Sequence, residues 1–212
     1  MNNLSKFIKP LLPGLLITIV LIKADAQKMD MSMPMHHQMS AVQKPVFLAM
    51  MDTMMVQMDK ATKGQSADAE FILQMIPHHQ GAISMARYEI THGKNFTMIQ
   101  LAKSILAEQS SELLQMELWL NQHASKEGSL PSAVEDGFNQ CMETMMAQMP
   151  PAGKLTNTDY AFAAVMLPHH QAAVDMAKVL LKHGQDVQAL AFAKSLISNE
   201  QIEIEQMSAY IQ

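Results

Sequence analysis

Two stretches of this chain return almost unchanged at a constant offset. MDTMMVQM (Met51–Met58) comes back as METMMAQM (Met142–Met149), and MIPHHQGAISMA (Met75–Ala86) as MLPHHQAAVDMA (Met166–Ala177). His92-Gly93 returns as His183-Gly184, and Ala102-Lys103-Ser104 as Ala193-Lys194-Ser195, each 91 positions on and without a gap. A duplication of this length limits the fold to one supersecondary unit used twice. The copies run from Phe47 to Asn121 and from Phe138 to Gln212.

Each copy reads as three helices. In the first, Met51, Met54, Met55 and Met58 fall at i, i+3, i+4, i+7, one face of a helix over about Pro45–Ala61. A second helix is expected over about Asp68–His92, ended by Gly93 in a left-handed C′ position. A third follows at once, with Asn95 and its counterpart Asp186 as N-caps. Its seam is read as Ala102, Leu106, Gln109, Leu113, Met116 and Leu120, repeated as Ala193, Ile197, Glu200, Ile204, Met207 and Ile211. Pairing two such hairpins through their seams gives an all-α fold, a pseudo-twofold four-helix core with the Met-rich helices flanking it. Two separate three-helix units are the alternative. Pro77 and Pro168 interrupt the second helix of each copy just before a His pair. Either the helix kinks there or it begins there.

Outside the copies lie three other pieces. Residues 1–26 read as a secretory signal peptide: Lys6 and Lys9, an apolar run from Leu11 to Ile22, then Ala24-Asp25-Ala26 before cleavage. The run is short of the roughly 20 residues a membrane span needs. No Cys follows it, which argues against a lipid anchor. Residues 27–45 form a Met/His-rich tail, residues 46–123 the first repeat, 124–137 a linker and 138–212 the second repeat. Export to a periplasm or the exterior follows, with no membrane attachment after cleavage. Losing Lys6, Lys9, Lys23 and Asp25 moves the formal charge from −5 to −7. An acidic chain without a basic stripe is not built for nucleic acid. A single cysteine, Cys141, excludes an internal disulfide.

The residues that could carry chemistry are soft. Met75, His78 and Met85 share one helical face around small Ala82, with His79 beside it; the second copy offers Met166, His169, His170 and Met176. Thioether and neutral imidazole suit Cu(I) and Ag(I). The set holds no carboxylate, so Mg²⁺ and Ca²⁺ match it poorly. The bland alternative is that a Met stripe is core and its histidines are hydrogen-bonded core residues. His92 and His183 fit helix C-terminal capping. The methionines of the first helix and Cys141 either pack or join a soft-metal cluster. The tail contributes Met29, Met31, Met33, Met35, His36, His37 and Met39, too polar and too broken by Pro34 to be explained by packing. It reads as a capture arm.

Other chemistries fare worse. Carboxylate-bridged di-iron centres on helical bundles need Glu-x-x-His on two helices. Glu89-x-x-His92 fits, but Leu180 stands where the second Glu is needed. There is no nucleophile elbow for hydrolysis and no paired-Cys spacing for structural zinc. No organic cofactor or enzymatic turnover is expected. Two further readings of the methionines are packing or homodimer faces, and scavenging of oxidants as sulfoxides.

At MIPHHQGAISMA and MLPHHQAAVDMA, each followed by His-Gly and a helix with a late Met (Met116, Met207), the chain resembles the family called domain of unknown function 305. The resemblance implies a ferritin-like helical bundle. Its similarity to an exported copper-binding type within that family implies Cu(I) and Ag(I) binding, a role in metal tolerance and a metal-exchange partner protein.

Overall fold

Capping side chains and the repeat's own apolar spacing set the helices. In the computed structural model, which describes residues 44–123 and 129–212, the order is α1 (Val46–Lys60), α2 (Ala67–His92), α3 (Phe96–Gln122), α4 (Ser132–Ala147), a 3-10 turn (Ala152–Lys154), α5 (Thr158–His183) and α6 (Val187–Ile211). No strand occurs among the described residues, so the fold is all-α. Residues 1–43, on which the expected signal peptide and Met29 to Met39 fall, lie outside the described residues. Helix α4 begins at Ser132, inside the stretch read as linker.

Each long helix starts on a side-chain cap. Ser66 accepts from the Ala69 amide and Asn157 from Tyr160, 3.2 and 2.9 Å away. Asn95 and Asp186 cap α3 and α6 as their sequence positions require. Helices α2 and α5 run unbroken through Pro77 and Pro168, so neither begins there. Gly93 and Gly184 are not left-handed: their φ values are −66° and −74°. The need for glycine is spatial. A Cβ on Gly93 would sit 2.3 Å from the Glu89 carboxylate, and one on Gly184 2.6 Å from that of Asp68.

The core is the four long helices. Helix α2 packs on α3 and α5 on α6 as two hairpins, and α2 lies directly against α5. That close approach uses fully buried Ala82, Ala86, Ala173 and Ala177. Helix α1 lies on α2 and α4 on α5. Their phenylalanines cross to the other copy: Phe47 meets Phe162 at 6.0 Å, and its counterpart Phe138 meets Phe71 at 6.5 Å. Met51, Met54 and Met58 of α1 and Met145 of α4 are buried core. Met54 packs so tightly on α2 that a Cβ at Gly81 would come within 2.8 Å of its sulfur.

Polar contacts repeat the exchange. The Asp159 carboxylate of α5 accepts from the backbone N–H groups of Lys94 and Asn95, at 2.8 and 2.7 Å, in the turn of the first hairpin. Asp68 of α2 accepts from Gln185 and Asp186 in the turn of the second, at 3.1 Å each. Each copy closes the other's hairpin. The pairing rules out two separate three-helix units and makes the relation a pseudo-twofold.

The seam of α3 lies one residue back from its expected register. Ile105, Glu112 and Trp119 are buried where Leu106, Leu113 and Leu120 were expected, and those leucines are only partly buried. Met98, Ala102, Gln109 and Met116 complete it. In α6 the buried set includes Leu196, Glu200 and Glu203. The shift turns a carboxylate from each of these helices into the core.

Candidate metal centre

All eight folded candidates are in the core. Met75, His78, His79, Met85, Met166, His169, His170 and Met176 are each 0% exposed. The α2–α5 contact brings the two copies' histidines together at the pseudo-twofold axis. The rings of His78 and His169 lie 3.7 Å apart, centroid to centroid, tilted by 31°. His169 Nε2 donates to the His78 backbone carbonyl at 3.2 Å. His79 Nε2 meets Glu112 Oε2 at 2.8 Å, and His170 Nε2 meets Glu203 Oε2 at the same distance.

The bonding fixes tautomers. With a carboxylate or carbonyl accepting at Nε2, that nitrogen holds the proton, and in a neutral ring Nδ1 keeps its lone pair. The Nδ1 atoms of His79, His169 and His170 have no hydrogen-bond partner, and neither nitrogen of His78 has one. Buried polar atoms left without a partner call for an explanation such as an ion. A histidine whose other ring nitrogen donates to a carboxylate is the usual arrangement of a metal-ligating imidazole. The orphaned Nδ1 atoms, with buried thioethers on the same two helices, are donor types that fit a soft cation.

Electrostatics separates the four rings. Burial drives His78 well below the usual imidazole range, and charge on His79 and His170 adds to the effect. His169 is lowered by burial and by its three histidine neighbours, against a smaller opposing effect of its hydrogen bond to His78. Both are neutral, the form that ligates metal. Burial also lowers His170, but Glu200, Glu203 and Glu108 outweigh it and raise the ring. Burial pushes Glu200 up to about 8, with the charge on His170 opposing. Gln109 Nε2 donates to Glu200 Oε1 at 3.0 Å across the axis.

The histidine set does not lack carboxylates, as its sequence pattern implied. Glu112 and Glu203 touch it directly, and Glu108 and Glu200 act on it. Their heptad spacing alongside Gln109 and Met116 was the available signal. Even so, among the described residues no three His, Cys, Asp or Glu side chains converge as a metal site made of those types alone would. An ion held here would draw on sulfur. His92 stays outside: its ring stacks on Tyr88 at 3.9 Å and Nδ1 bonds the Tyr88 carbonyl at 3.0 Å, a C-terminal capping role. Cys141 is buried on α4, which pushes its thiol up to about 11 and leaves it protonated. Among the described residues no helix is long and apolar enough to cross a membrane.

A model of the family described as domain of unknown function (DUF305) matches twice, at residues 18–120 and 115–211. Solved structures of similar fold include CopM in its Ag-bound form, 27% identical with a TM-score of 0.52, over 69% of this chain and 95% of that one. CopM in the Cu(I)-bound form is 26% identical at a TM-score of 0.51, over 68% of this chain and 94% of that one. A DUF305 protein from Streptomyces coelicolor, 21% identical over 69% and 91% of the two chains, shares the fold at a TM-score of 0.54. No curated protein matches in sequence.

Proposed function

Since the chain belongs to the DUF305 family, with the domain present twice, we propose that it binds Cu(I) or Ag(I) as cargo in the core of its bundle. The observation that carries this is the set of fully buried imidazoles at the α2–α5 contact whose Nδ1 atoms lack partners. His78, His79, His169 and His170 supply nitrogen. Met75, Met85, Met166 and Met176, on the same two helices, supply sulfur. Glu112 and Glu203 hold the tautomers of His79 and His170. The metal-bound forms of CopM support the reading. The protein is exported, sequesters the ion or passes it to a partner without turnover, and thereby contributes to metal tolerance. Residues Met29, Met31, Met33, Met35, His36, His37 and Met39 act as an additional capture arm.

The test is anaerobic Cu(I) titration against a competing chelator, with Ag(I) in parallel. Changing Met75, Met85, Met166 and Met176 together to Leu removes every thioether of the set, at less than about 1.5 kcal/mol per near-isosteric exchange. Affinity should fall by more than the roughly 10- to 100-fold that losing a ligand's hydrogen-bond partner costs. Metal should also raise the melting temperature of the parent and not of this variant. A folded variant that binds as the parent does would sink the site. Deleting Met29–Met39 should lower the number of ions bound and leave the melting temperature without metal unchanged; equal capacity would remove the arm.

The methionines of α1 and α4 have a different role. Met51, Met54, Met58 and Met145 are buried against neighbouring helices, which favours packing for these four.

A further inference from the structure

Four imidazoles with 0% exposure raise a question of access. One groove borders the carboxylates that bond two of them. Helices α3 and α6 line this cavity of about 470 Å³, which is open to solvent. Its lining comes in pairs 91 positions apart: Ser104 with Ser195, and Glu112 with Glu203, among others. A volume of this size admits a hydrated cation, since it is roughly fifteen times the ~30 Å³ of one water.

Chemistry suits the shape. Glu108, Glu112 and Glu203 line the cavity, and no Lys or Arg does. Glu112 and Glu203 are each 6% exposed, and on their inner side each is bonded to a buried imidazole. The second oxygen of Glu203, Oε1, has no partner. The same two carboxylates thus face the solvent-filled groove and hold the rings behind it.

We propose that this axial groove is the port by which cations reach the buried histidines: an anionic, oxygen-lined vestibule that collects a hydrated monovalent cation and hands it inward past Glu112 and Glu203. The port rests on reading those histidines as the destination. A cleft lined by one sign of charge focuses its field and speeds capture of the opposite charge. Its effect therefore appears in the association rate, and it weakens as salt screens the charges.

The experiment is rapid mixing of the full chain with free Ag⁺ at low and high ionic strength, reading association and dissociation rates separately. Ser104→Lys and Ser195→Lys each add an opposing charge to the groove wall at an exposed position bonded to no imidazole. Glu143→Gln, an exposed change on α4, is the control. At low salt both groove variants should associate about tenfold more slowly, within the range steering provides. Dissociation rate and stoichiometry should stay as in the parent and control, and the deficit should shrink at high salt. Unchanged association with normal Ag⁺ uptake overturns the port and leaves the metal site standing. A loss carried by dissociation overturns it too, because the groove wall then acts on the bound ion rather than on its entry. If the parent takes up no Ag⁺, the metal-binding reading itself fails, and the port with it.

Discussion

Changing the buried Asp68 and Asp159 together to Ala is expected to destabilise the bundle by about 4 kcal/mol or more. Each carboxylate accepts from two backbone N–H groups in a turn that belongs to the other repeat. Hydrogen bonds to a charged group contribute roughly 1.5–3 kcal/mol each. The turns are only part-buried, so water recovers some of that once the carboxylate is gone. The two turns share no partner, so the single losses should add. Urea denaturation of the two single variants and the double is the measurement. A double variant within about 1 kcal/mol of the parent would mean that these clamps are ornamental.

The second large effect depends on pH and on only one end of the molecule. Burial and the neighbouring Asp159 carboxylate push Glu89 up to about 8. Asp159 itself is raised by burial, but the Asn95 amide, the Glu89 carboxyl and the Lys94 amide outweigh that and hold it below its usual range. At neutral pH Glu89 is therefore protonated while Asp159 is ionised. The unfolded Glu89 ionises near its ordinary value of 4.5, the folded one near 8. Between those limits the folded state binds more protons than the unfolded state, so stability falls as pH rises through that window and levels off above it. Glu89→Gln keeps the size of the buried side chain and removes the titration. Its stability should gain on the parent between pH 5 and pH 8, by an amount on the order of 3 kcal/mol. Denaturation midpoints at several pH values would show it, and a gap of constant size would refute the raised Glu89 carboxyl. Leu180 fills the matching position in α5, so the counterpart change has no such profile.

Much of the architecture was written in the repeat. A constant offset of 91, Asn95 and Asp186 as caps, and His-Gly between long helices placed two hairpins before any coordinates. The seam was harder. Ala102, Gln109 and Met116 belong to both possible registers, and apolarity alone prefers Leu106, Leu113 and Leu120. The fold chose Ile105, Glu112 and Trp119, because Glu112 meets the His79 ring and Trp119 Nε1 finds the Asp186 carboxylate at 2.8 Å. Those partners sit on other helices, so no local pattern could announce them. The His pairs were visible as a motif, whereas Glu112 and Glu203 showed only as seam-spaced positions whose histidine partners lie on other helices. Gly93 and Gly184 were read as conformational residues, yet they answer to the size of Glu89 and Asp68.

The exchange of Asp68 and Asp159 between hairpins also says what kind of object this chain is. Neither half can complete its own turn, so the fold is a dimer whose subunits happen to be joined end to end. The peptide between them sets an effective concentration, in the millimolar range for short tethers. Cleaved there, the two halves would meet as separate molecules, and the melting temperature would rise with the amount of protein in the tube.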